Sequence, residues 1–132
     1  ACLMGPTDYL NYGSQGVNAL GVGPLSFAKG PFDFVRFNEK LRIYEKVTNK
    51  DEIREIGKTI SPMYHITSDD PPALFVHGTA DRIVPLQQAQ MAVEKFTSVG
   101  VEAELNAMEG RGHSVGMDGY RFTADWFNKT LK

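Results

Sequence analysis

Cysteine is almost absent from this chain. Cys2 stands alone among 132 residues, so no internal disulfide can staple the fold. Long apolar runs are absent too, and no stretch nears the roughly 20 residues of a membrane span. Neither sign of charge prevails. Against 14 Lys and Arg stand 16 Asp and Glu, a net charge of −2, which leaves no electrostatic footprint for nucleic acid or an anionic membrane surface. Asp69-Asp70 has no histidine or carboxylate partners at ligand spacing, so it reads as a polar connection rather than a metal site. No internal repeat and no low-complexity segment is visible. What remains is ordinary: 42% hydrophobic and 23% charged residues, suited to one domain that buries roughly 68% of its unfolded surface.

The order of elements favours an α/β fold. Residues 1–4 form a short apolar run ended by Gly5-Pro6, read as a buried strand. Residues 5–31 are rich in glycine and carry Pro6, Pro24 and Pro31, the signature of a functional loop or lid. Over 33–47, Phe37, Leu41 and Tyr44 share one helical face and predict a helix. Thr48-x-x-Asp51 resembles a capping box, opening a short helix from Lys50 to Ile56 that Gly57 would close. Residues 58–72 read as a connection. Ala73–His77 is a continuous apolar run, typical of a parallel strand covered on both faces. Pro85 suits a first helical position, and Leu86, Ala89, Val93 and Phe96 then recur at helical spacing up to Gly100. Val101–Met108 alternates and reads as a strand near the sheet edge. Gly119–Leu131 closes the chain as a helix, with Tyr120, Ala124, Phe127 and Leu131 on one stripe. Strand–helix–strand–helix favours parallel pairing.

Two residues in this second half carry chemistry. Asp81 follows the Ala73–His77 run on a tight turn, and His113 follows the next strand in Gly110-Arg111-Gly112-His113-Ser114. In an open parallel sheet the strand C-terminal ends share one edge, where catalytic groups gather. Neighbouring strands lie about 4.8 Å apart, so turns leaving them can bring a carboxylate to an imidazole. An ionised Asp81 would then fix the tautomer of His113 and stabilise the imidazolium. Taken singly, Asp81 also suits a turn residue capping a helix, and His113 a surface histidine between flexible glycines. His77 reads as a structural strand-end residue and His65 as a solvent-facing one. Tyr9, Tyr12, Phe27, Phe32, Phe34 and Phe37 suit either burial or the lining of an acyl pocket.

The segment Pro71-Pro72-Ala73-Leu74-Phe75-Val76-His77-Gly78-Thr79-Ala80-Asp81-Arg82-Ile83-Val84-Pro85 closely resembles the acid-bearing strand and turn of α/β-hydrolases. The likeness is to the esterase/lipase and prolyl-oligopeptidase-like branch, including feruloyl- and acetylxylan-esterase-like members. Gly110-Arg111-Gly112-His113 resembles the histidine loop of that branch. Leu3-Met4-Gly5-Pro6-Thr7-Asp8 resembles the strand after the nucleophile helix. The resemblance spans the chain and is strongest over 70–118. It implies a partial α/β-hydrolase fold over residues 1–132, with about three parallel strands and flanking helices. It puts a cap-like insertion at 9–60 and the acid- and histidine-bearing elements at 71–132. It gives Asp81 the acid role and His113 the base role in a carboxylic ester hydrolase. The family's early strands, oxyanion loop and G-x-S-x-G elbow are expected ahead of residue 1, so the chain reads as the C-terminal part of such an enzyme.

G-x-S-x-G does occur once, as Gly112-His113-Ser114-Val115-Gly116, between a strand and a helix. Ser114 is nonetheless rejected as nucleophile. The fold runs serine, acid, histidine, and the 18 residues after Ser114 hold Asp118 and Asp125 but no histidine. Ser14 follows no strand and is weaker still. No metal or organic cofactor is implied. The expected partner is a small-molecule ester, without nucleic acid or a membrane span. An open strand edge and an uncovered apolar face predict a homodimer, a segment swap or aggregation. Two other readings stay open: a non-catalytic α/β binding module, and a prolyl-oligopeptidase-type serine peptidase.

Overall fold

The computed structural model describes residues 1–16 and 34–131. Of the loop or lid expected at 5–31, residues 17–31 lie outside the described residues, as do the aromatics Phe27 and Phe32. The core is a three-stranded parallel sheet in the order β1-β4-β5, formed by β1 (Cys2–Leu3), β4 (Ala73–Gly78) and β5 (Ala103–Met108). Among the described residues between β1 and β4 come a hairpin of β2 (Val35–Asn38) and β3 (Ile43–Lys46), the helix α1 (Lys50–Ile60), and a 3-10 turn at Pro62–Tyr64. The helix α2 (Gln87–Ser98) crosses from β4 to β5, and α3 (Gly116–Thr130) follows β5. The sheet and its helices form the α/β architecture that the β–α–β–α pattern predicts, and three parallel strands agree with the partial fold that the resemblance to α/β-hydrolases implies.

The central strand explains the layering. Successive side chains of β4 point to opposite faces, and both faces are covered. Leu74 and Val76 pack with Val115, Phe122 and Trp126 on the α3 side. Phe75 packs with Ala89, Ala92 and Phe96 on the α2 side. Each fully buried apolar side chain of this kind contributes about 1.5–3 kcal/mol. Small residues let α2 approach Phe75 closely, and Gly100, at φ +84°, ends that helix in the left-handed region. Register runs from Ala73 opposite Ala103 to Gly78 opposite Met108, so the two strands end level and their following turns leave side by side.

Four expectations fail. The helix expected at 33–47 is a β-hairpin. Phe37 stands opposite Tyr44 with their ring centroids 5.2 Å apart. The Asn38 side chain accepts from the Leu41 backbone N–H, and Arg42 sits at φ +56°. The spacing that suggested one helical face is a cross-strand pair joined by a turn. α1 is capped by Asn49, whose side chain accepts from Asp51 and Glu52, rather than by Thr48. The helix runs through Gly57, which lies buried inside it and is not its stop. In α3 the apolar stripe is inverted. Gly119, Phe122 and Trp126 face the sheet, while Met117, Tyr120, Phe127 and Leu131 are exposed. Helical periodicity finds an apolar face but not which of two apolar faces meets the sheet.

Candidate active site

Backbone hydrogen bonds sew together the turns after β4 and β5. The Thr79 N–H donates to Met108 O at 3.0 Å, and the Ala80 N–H to Arg111 O at 2.8 Å. The Thr79 hydroxyl accepts from the Gly110 N–H at 2.9 Å. Gly110, at φ +68°, turns the chain out of β5. The buried Val115 then anchors the far end of the histidine loop in the core. Gly78 permits this proximity, since a Cβ there would overlap the Arg111 and Gly112 carbonyls.

This framework brings the two sequence-predicted residues together. His113 Nδ1 lies 2.8 Å from Asp81 Oδ2. The Asp81 carboxylate is fully enclosed, while the His113 side chain remains 37% exposed. Asp81 Oδ1 accepts from the Ile83 N–H at 2.8 Å and the Val84 N–H at 3.0 Å. Burial is the strongest single influence on the Asp81 carboxyl and pushes its pKa up. The His113 hydrogen bond, the two backbone donors and the His113 charge together outweigh it, and the carboxyl titrates below its ordinary value. An ionised Asp81 accepts only, so its partner Nδ1 carries a proton, and in the neutral ring Nε2 then keeps its lone pair. Such a pair can take a proton from a hydroxyl and return it to a leaving group.

Two further side chains brace the acid turn. His77 is buried on β4, and its Nε2–H donates to Val84 O at 2.8 Å. The same nitrogen lies 3.4 Å from Asp81 Oδ2. His77 is therefore a strand-end residue, as expected, and one tied to the acid. Tyr12 is only 2% exposed, and its hydroxyl donates to Ile83 O at 2.8 Å. Burial first, then the charges of Asp81 and Tyr9, push the Tyr12 phenol up to about 12, so it stays a donor. In the sequence Tyr12 is one aromatic among several. Nothing local marks Gln88 either, whose Oε1 accepts from the Thr7 and Asp8 N–H groups. These contacts join residues more than 70 positions apart, and no local period signals them.

The remaining candidates stay apart from this pair. Ser114 is exposed, and its Oγ accepts from the Gly116 N–H at 3.3 Å. Ser14 is exposed in a loop. Asp69 and Asp70 accept from Thr67 in a surface turn. His65 is exposed, with Nε2 2.8 Å from Thr59 O. Among the described residues no group of three or more His, Cys, Asp or Glu side chains is placed to hold a metal ion, and no helix is long and apolar enough to cross a membrane.

Residues 28–132 match the prolyl oligopeptidase family. The chain belongs to that family. Among its relatives, this prolyl oligopeptidase family member is 31% identical over 91 residues to "Esterase LipC" of Mycobacterium tuberculosis, covering 67% of this chain and 22% of that protein. It is 34% identical over 61 residues to "Carboxylesterase SOBER1" of Arabidopsis thaliana, covering 46% of this chain and 27% of the relative. The chain thus spans about a quarter of the length of these curated relatives. Among solved structures, a truncated carbohydrate esterase from gut microbiota superposes with a TM-score of 0.70 at 22% identity, covering 97% of this chain and 40% of that one. That likeness speaks to the fold. A thermophilic esterase from Thermogutta terrifontis matches at 29% identity with a TM-score of 0.51, over 62% of this chain and 33% of that one.

Proposed function

We propose that this family member supplies the acid and base of a serine hydrolase acting on carboxylic esters. The observation that carries the reading is the 2.8 Å contact between His113 Nδ1 and an enclosed Asp81. A serine hydroxyl, supplied by polypeptide outside these residues, attacks the ester carbonyl. His113 Nε2 takes the serine proton and later passes it to the departing alcohol, giving an acyl-enzyme that water then cleaves. Asp81 orients the ring and stabilises its cation. The esterases among the relatives favour an ester over an amide. The family name keeps a peptidase as the second reading. Comparing acyl nitrophenyl esters with peptide nitroanilides, using the polypeptide that carries the serine, separates the two. Residues 9–60 are proposed as the cap of this hydrolase domain and 71–132 as its acid- and histidine-bearing part.

Chemical labelling tests where the nucleophile lies. A fluorophosphonate probe is expected to leave the 132-residue chain unmodified and to label a G-x-S-x-G serine encoded ahead of residue 1. Ser114→Ala is expected to change neither labelling nor turnover. Labelling of Ser114 itself in intact-mass spectra would return the nucleophile to this chain.

A self-association is proposed as well. Among the described residues β1 and β5 each pair only with β4, leaving two open edges. α3 turns Met117, Tyr120, Phe127 and Leu131 outward, an uncovered stripe of the kind that drives association. Sedimentation velocity on the 132-residue chain is expected to show mass rising with concentration. A single monomer species up to several hundred micromolar would count against it.

A further inference from the structure

We propose that Tyr12 is a positioning residue for the acid of the relay, its hydroxyl orienting the Ile83–Val84 peptide that holds Asp81. The inference rests on the Asp81–His113 reading and extends it to a residue 71 positions away from the turn. The geometry is a pin at each end of one rigid plane. The Ile83 carbonyl and the Val84 N–H belong to the same peptide unit, which is planar. Tyr12 donates to the carbonyl end at 2.8 Å, and the N–H end donates to Asp81 Oδ1 at 3.0 Å. Fixing the carbonyl therefore aims the N–H. The Arg82 and Ile83 side chains are exposed, so the turn is held by the buried Val84, by His77 on the Val84 carbonyl, and by Tyr12 on the Ile83 carbonyl.

Tyr12 is itself held rigidly enough for the task. The Asn11 carbonyl accepts from Gln87 Nε2 at 3.1 Å and Gln88 Nε2 at 2.8 Å. On its other side, the Gly13 N–H donates to Gln87 Oε1 at 3.0 Å. Asp8 accepts from the Leu10 and Asn11 N–H groups and from Asn11 Nδ2. Both neighbours of Tyr12 are thus bolted to the first residues of α2, which begins just past the acid turn. The ring fills space, but the hydroxyl has a direction, and phenylalanine would keep the first and lose the second.

NMR on the 132-residue chain tests this through the Asp81 side-chain carboxyl carbon and the Val84 amide. In Tyr12→Phe the Asp81 titration midpoint is expected to rise by roughly half a pH unit, because hydrogen bonds to the charged form hold it down. Val84 amide exchange should quicken. Tyr64→Phe removes a hydroxyl that lies 3.5 Å from Asp8 Oδ2 and should leave the Asp81 midpoint where it was. Gln87→Ala loosens the flanks of Tyr12 and should move the midpoint the same way by less, which keeps the test open if Tyr12→Phe folds poorly. A lowered melting temperature with unchanged Asp81 titration and unchanged Val84 exchange would assign Tyr12 to packing alone and overturn the inference. The relay reading fails separately: it falls if Asp81 in the unmodified chain shows neither a depressed midpoint nor a hydrogen bond to His113.

Discussion

Asp81→Asn is expected to lower kcat on esters about 10⁴-fold in the polypeptide that carries the serine, with KM little changed. The size follows from which atom goes where. Asparagine has one acceptor and one donor end in place of two acceptors. The Ile83 and Val84 N–H groups both point at the Asp81 Oδ1 position, so the amide oxygen takes that place. The NH₂ group then occupies the Oδ2 position, facing His113 Nδ1 and His77 Nε2. A donor facing Nδ1 selects the tautomer protonated at Nε2. That tautomer has no lone pair to accept the serine proton. Steady-state kinetics on a short-chain nitrophenyl ester measure the loss, and a variant within threefold of the parent would remove Asp81 from the mechanism.

The same substitution has a stability signature whose direction follows from the depressed Asp81 pKa. The unfolded carboxyl binds protons near the ordinary value of 3.8, and the folded one does so only at lower pH. Between those values the unfolded state holds more protons, so stability rises with pH. The contribution is complete above the unfolded value and is lost as pH falls through the folded one. The gap in urea midpoint between the parent chain and Asp81→Asn should therefore be widest above about pH 5. It should narrow steadily below pH 4.

What the sequence disclosed and what it hid divide along one physical line. β4, its turn and the histidine loop are contiguous runs whose chemistry is local: an apolar strand covered on both faces, a carboxylate at its end, glycines around an imidazole. Parallel pairing of the last two strands follows from the helix between them. The hairpin at 35–46 was hidden because Phe37 and Tyr44 meet across a turn, and their separation in sequence also fits two helical turns. α3 was inverted because it carries two apolar faces, and the choice between them is made by Val115, Met108 and the sheet. The bracing of the acid turn by Tyr12, and the clamp of Gln88 on Thr7, depend on folded distances that no local pattern encodes.

Gly78 is where strand geometry and chemistry meet most tightly, and Gly78→Ala is expected to cost about 3 kcal/mol or more. That corresponds to a fall of roughly 10 °C in Tm. A methyl at this position would overlap the Arg111 and Gly112 carbonyls, which are backbone and have no rotamer to retreat into. Arg111 O is also the acceptor for the Ala80 N–H, and Gly112 O for the Ser114 N–H. The loop can relieve the overlap only by moving off β4, and that motion breaks the stitch between the two turns and carries His113 away from Asp81. Activity should fall further than the lost stability alone explains. Gly112→Ala is the matched control. It lies one residue from His113, and a Cβ there meets nothing within 4 Å, so its cost should stay within about 0.5 kcal/mol. Two glycines flanking the same contact should then differ by several degrees in Tm, and equal melting of the two variants would mean that the histidine loop does not close on the end of β4.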